Sequence, residues 1–198
     1  MANGRLEAVQ WLDANRAQYP ESVDQAMHEA AAEGHLEVVK WLHANRSEGC
    51  TTWAMDLAAE NGHLYIVKWL HESRREGCTT AAMDESNSLE VLEWLHTHRT
   101  EGCTHVAMER AARDGNLAKL VFLKENGLSR ATSKAVAEAT MMAHFEIVHW
   151  LRADFPLHTP TAASLELDCL YAWRMYMDFE DSIETGDTRV GRKKGREE

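Results

Sequence analysis

The chain has 198 residues, with 21 Lys and Arg against 32 Asp and Glu, for a formal net charge of −11. That length fits one domain, or a short repeat array with a tail. So acidic a body repels phosphate backbones, which argues against nucleic acid as a partner, and no apolar stretch is long enough to span a bilayer.

Residues 1–20 carry charges at Arg5, Glu7, Asp13 and Arg16 and no apolar run, so they do not read as a signal peptide. An intracellular, cytoplasmic protein is expected. The chain enters a repeat in mid-unit: residues 4–12 are a degraded copy of a block that becomes clear only further on. That block reads Gly-His-Leu-Glu-Val-Val-Lys-Trp-Leu-His at residues 34–43 and Gly-His-Leu-Tyr-Ile-Val-Lys-Trp-Leu-His at 62–71. Weaker copies follow at 88–96, 115–123 and 143–151.

Tryptophan measures the period. Trp11, Trp41, Trp69, Trp94, Phe122 and Trp150 are separated by 30, 28, 25, 28 and 28 residues. A second series, Met27, Met55, Met83, Met108 and Val136, steps by 28, 28, 25 and 28. A fixed period predicts stacked similar units rather than one globular core. Two residues are extra near Tyr19-Pro20. Three are lacking after Met83, almost one helical turn, which predicts a shortened first helix there.

Each unit reads as two helices. In the clearest, Thr51-Thr52 supplies N-cap residues, and a first helix runs through Met55 to Glu60 and stops at Asn61-Gly62. A second runs from about Leu64 to about Glu72, with Leu64, Val67, Trp69 and Leu70 expected inward. The tryptophan series is read as core. Glu76-Gly77-Cys78-Thr79 turns into the next unit.

At the far end Pro156 and Pro160 break the chain, and residues 158–178 are expected to form a capping helix. Residues 179–198 read as a disordered charged tail. Its cluster Arg192, Lys193, Lys194 and Arg196 is a candidate nuclear-import address.

The stretch Ala58-Ala59-Glu60-Asn61-Gly62-His63, continuing to Val67 and Leu70, resembles the centre of an ankyrin repeat, as does Ala30-Ala31-Ala32-Glu33-Gly34-His35 leading to Val39 and Leu42. The family's Thr-Pro-Leu-His opening is missing, and the period is 28 rather than about 33. The variant is similar to the Trp-Leu-His ankyrin arrays of eukaryotic microbes, oomycetes among them. The resemblance implies an all-α helical-hairpin solenoid over residues 1–157, five to six units with the first incomplete, and with β-hairpin fingers reduced or absent. It also implies a scaffold that binds a protein partner through its concave face. The incomplete first unit leaves an alternative: a fragment of a larger ankyrin-repeat protein, whose specific function lies in preceding repeats or a fused domain.

Chemistry is otherwise sparse. Cys50, Cys78 and Cys103 fall at one repeat position, and stacked units at roughly 8–10 Å are too far apart for a disulfide, which needs Cα atoms within about 7 Å. Cys169 lies outside the pattern. His43, His71 and His96 likewise form a ladder, which cannot converge on one metal ion; the tighter group His96, His98, Cys103 and His105 spans a helix end and turn where a zinc site is conceivable, but His96 and Cys103 are already explained by the repeat. No nucleophile or phosphate-loop motif is present. No catalytic, cofactor or metal residues are assigned, and no enzyme is expected. Candidate partner-binding residues are those that vary on the first helices: Trp53, where other units have Ala81, Val106 and Lys134, with Leu57, Glu60, Arg110 and Arg113. The partner itself is unidentified. A monomer is expected unless the uncapped N-terminal face self-associates.

Overall fold

The structure, a computed structural model, describes residues 6–8, 10, 11, 14, 26–45 and 51–154. Within these, ten helices are complete: α1 (Ala26–Ala32), α2 (Leu36–Asn45), α3 (Thr52–Glu60), α4 (Leu64–Ser73), α5 (Ala81–Asp84), α6 (Leu89–His98), α7 (Val106–Arg113), α8 (Leu117–Glu125), α9 (Ser133–Met141) and α10 (Phe145–Asp154). The expected cap at 158–178, the tail at 179–198, Cys50, Cys169 and most of the first, incomplete unit lie outside the described residues. The fold is all-α and ankyrin-like, and no strand occurs among the described residues, so the fingers are reduced to short extended connections.

The chain divides into two compact units at Thr104/His105. In the first, α1 packs on α3 and α3 on α5, and each of these also packs on the helix that follows it. In the second, α7 packs on α9, with α8 and α10 as their respective hairpin partners. Ala31, Ala58, Ala59, Ala82, Ala112 and Ala139 are fully buried. Without side chains beyond Cβ, they let the first helices of neighbouring repeats approach closely.

Helix limits follow from local chemistry. The Thr51 hydroxyl accepts a hydrogen bond from the Trp53 amide at 3.3 Å and fixes the start of α3. At its other end Gly62, at φ +76°, takes the left-handed conformation that turns the chain into α4. The repeat lacking three residues has the predicted short first helix: α5 has 4 residues where α3 has 9.

The core differs from the expectation in one respect. The methionine series is fully interior: Met27, Met55, Met83, Met108 and Val136 are all buried. The tryptophan series is not. Trp41, Trp69, Trp94, Phe122 and Trp150 are half-buried, and Trp11 is exposed. On α4 the buried stripe is Ile66, Val67 and Leu70, while Leu64 and Trp69 sit on its flanks. A stripe one residue wider than the helix can bury forces the largest ring to the edge, where it packs on the preceding repeat. Trp69 meets the His43 ring at 5.3 Å edge-on, and Trp94 meets His71 at 5.2 Å in the same way.

The Gly-His pair has a structural role between repeats. His63 Nε2 donates to the Ala32 carbonyl at 2.9 Å, and its ring lies against Gly34. In the second unit His144 Nε2 donates to the Arg113 carbonyl at 3.1 Å and its ring lies against Gly115. A Cβ on Gly34 would lie 2.7 Å from the His63 ring, whereas one on Gly102 meets nothing within 4 Å. Both glycines have positive φ. Gly102→Ala is therefore expected to cost about 1–2 kcal/mol, from left-handed strain alone. Gly34→Ala should cost about 1–3 kcal/mol more through overpacking. Urea denaturation of the two variants checks this; equal losses would show that His63 yields freely.

Candidate protein-binding surface

The connections between repeats are built from a recurring Arg-x-Glu-Gly-Cys-Thr, present at 74–79 and 99–104 and, in sequence, at 46–51. Arg74 pairs with Glu76 through Nε at 3.2 Å and Nη2 at 2.6 Å, and its Nη1 donates to His43 Nδ1 at 3.1 Å. Arg99 repeats the arrangement one unit on, pairing with Glu101 and donating to His71 Nδ1 at 3.3 Å. The two-residue spacing closes a small ring that stands in for a finger hairpin. The arginine hydrogen bonds hold the carboxyls of Glu76 and Glu101 below the ordinary glutamate range. Cys78 lies beneath, with its thiol pushed up to about 11, by burial and by nearby Glu101, against the opposing pull of Arg99.

A second link binds each first helix to the next repeat. The residue after the core methionine reaches the threonine of the following connection. Asp56 accepts from the Thr79 amide at 2.8 Å and its hydroxyl at 2.9 Å. Asp84 accepts from Thr104 at 2.7 and 2.8 Å in the same manner. In the second unit Glu109 accepts from the Thr132 hydroxyl at 2.7 Å and pairs with Lys134 at 3.0 Å. His28 and the Thr51 hydroxyl, 3.1 Å apart, hold the corresponding place in the first described repeat. Burial raises the Asp56 carboxyl despite its two Thr79 bonds. Burial acts upward on Glu109 too, but Thr132 and Lys134 outweigh it and the group is lowered.

These links fix the geometry of the only surface where several sequence candidates meet among the described residues. Trp53, Leu57 and Glu60 stand at i, i+4 and i+7 on α3 and therefore share one stripe. They line a groove of about 210 Å³ together with Asp56, Thr79, Ala81 and Glu85. Trp53 is 65% exposed and packs on one side against His28, with ring centroids 6.2 Å apart. Thr79 is exposed, and Leu57, Glu60, Ala81 and Glu85 are half-buried. α5 ends at Asp84, so the groove borders the second half of α3, where a full-length neighbour would carry another turn. The sequence predicts the short helix but does not point to Ala81 and Glu85 as groove residues. The signal was the three-residue deletion itself.

Arg110 and Arg113 do not line this groove. They lie on α7 in the second unit. Arg113 pairs with Asp114 at 3.1 Å, and Arg110 is half-buried. No group of three or more His, Cys, Asp or Glu is placed to hold a metal among the described residues. His98, a member of the histidine group considered above, stacks on Trp94 at 4.4 Å. No helix among the described residues is long and apolar enough to cross a membrane.

A family model described as ankyrin repeats (many copies) matches residues 1–43 and 27–71. Residues 1–71 therefore match ankyrin repeats, and the same helical hairpins and inter-repeat links continue beyond residue 71. Comparison with curated proteins returned no match. Ankyrin repeats generally mediate protein–protein interaction.

Two outcomes are expected. Glu76, Glu101 and Glu109 bind their protons more weakly folded than unfolded, so their stabilisation is complete above the ordinary value of 4.5 and is lost as pH falls below it. Asp56 acts in the opposite sense: its raised value makes rising pH above 3.8 unfavourable to the fold. With three groups against one, the melting temperature should fall on acidification below 4.5, and Glu101→Gln should flatten that fall; an unchanged slope would remove Glu101 from the account. Cys78 should also resist maleimide at neutral pH until the protein unfolds, its thiol being buried and largely protonated. Mass spectrometry of native and urea-treated protein reads this directly.

Proposed function

We propose that this protein is a non-catalytic binding module, and that its partner is a protein held on the face carrying Trp53, Leu57 and Glu60. The observation that carries the reading is Trp53: a large ring, 65% exposed, at a position the repeat does not require to be aromatic, beside a groove with an apolar wall. Exposed tryptophan in such a setting is typical of residues that dominate interface energies. Arg110 and Arg113 supply a further contact patch on α7. The buried Cys78 thiol fits an intracellular setting, where such groups stay reduced.

Trp53→Ala is the test. Removing a half-solvated ring should leave the fold within about 1 kcal/mol of wild type, while a partner captured by wild type from native extract should be bound about ten-fold or more weakly. Arg110→Glu with Arg113→Glu tests the α7 patch separately. A partner bound equally by wild type and by Trp53→Ala would move the binding face elsewhere.

A further inference from the structure

The groove beside the shortened helix has a chemistry that selects among protein partners. Its apolar surface comes from Trp53, Leu57 and Ala81. Its ionisable lining residues are all acidic: Asp56, Glu60 and Glu85. Asp56 is committed to Thr79 through both oxygens, so its charge is fixed in the floor. Glu60 and Glu85 are half-buried, and no lysine or arginine lines the space with them. The chain as a whole carries a formal net charge of −11. A ligand entering here meets one apolar wall, one exposed aromatic face and three carboxylates of one sign.

We propose that the groove takes a peptide segment of a partner protein in which a large apolar side chain is flanked by arginine or lysine. This rests on the reading of the chain as a protein-binding module and names the kind of segment bound. The apolar side chain packs on Leu57 and Ala81 and displaces water from them. The neighbouring cation lies near Glu60 and Glu85, and a guanidinium there is also suited to the open face of Trp53. A groove of about 210 Å³ holds one or two side chains, not a helix face, so recognition is by a short motif. Like-charge repulsion excludes acidic segments, and the same field accelerates encounter with basic ones.

The location follows from the deletion. α5 stops at Asp84 after 4 residues, and the chain turns through Glu85 and the buried Ser86, whose hydroxyl donates to the Ser88 carbonyl at 3.2 Å. A full first helix at this place would lay a further turn beside Leu57 and Glu60, as α3 itself continues to Glu60. The groove thus lies where this repeat lacks that turn.

The test uses the full chain and three sets of labelled ten-residue peptides, read by fluorescence polarisation. One set has a central Leu or Phe between arginines, one replaces the arginines with glutamate, and one replaces the central residue with serine. The first set should bind at least ten-fold more tightly than either of the others, with affinity falling as salt is raised. Glu60→Lys should abolish that preference or reverse it toward the acidic set, and Glu60→Gln should weaken it while circular dichroism shows an unchanged fold. Absence of discrimination between basic and acidic sets, or discrimination untouched by both Glu60 variants, overturns the proposal. If extract capture remains sensitive to Trp53→Ala in that case, the binding-module reading survives and only the motif is wrong. If extract capture is also unaffected by Trp53→Ala, both fall.

Discussion

The hydrogen bond from each first helix to the next threonine sets the terms for the rest of the structure. Asp56 holds Thr79 by amide and hydroxyl, and that same hydroxyl accepts from the Ala81 amide at 3.1 Å to start α5. The preceding repeat therefore decides where the next helix begins. Two helices whose starts are tied in this way can present matched faces, and the buried methionines and alanines then meet in register. A charged oxygen bonded to two donors tolerates burial that would otherwise be costly. The position is filled by Asp in two repeats, by Glu in one and by His in another. What is kept is an acceptor of suitable reach, rather than one residue type.

This linkage also accounts for a repeat of 28 residues. Ankyrin repeats of ordinary length extend a hairpin between units; here an arginine and a glutamate two residues apart do the bracing instead. The guanidinium is shared between its glutamate and the histidine of the preceding repeat. That histidine in turn receives the edge of the following tryptophan. Arginine, histidine and tryptophan therefore make one contact set at each of these two junctions, and His43 and His71 serve in packing between repeats.

Much of this was legible in the residues. The period placed every described helix, the deletion after Met83 placed the short one, and Thr51 and Asn61-Gly62 marked the ends of α3 correctly. The tryptophans were misassigned because periodicity reports which positions recur, not how deep they lie: Trp69 recurs as faithfully as Ile66 and Leu70, yet only the latter two are interior. The inter-repeat bonds were invisible for a different reason. They join residues 20 to 31 apart, and a helical pattern carries no record of which outward side chain meets the next unit. Of the candidate binding residues, Trp53, Leu57 and Glu60 could be grouped by helical spacing alone. Ala81 and Glu85 come from another repeat and join them only through the fold.

The contact between Gly34 and His63 gives the sequence a direction of reading. A glycine in one repeat is required by a ring that belongs to the repeat after it, so its constraint is imposed from downstream. Where the following unit offers Ser88 in place of histidine, a Cβ at Gly62 would find 3.4 Å, ordinary contact, and only the backbone turn still asks for glycine. Units of such a protein are therefore not freely interchangeable parts. A repeat ending in a bulkier turn residue could precede one kind of neighbour and not another, so duplication or exchange of units is constrained by the order in which they are joined.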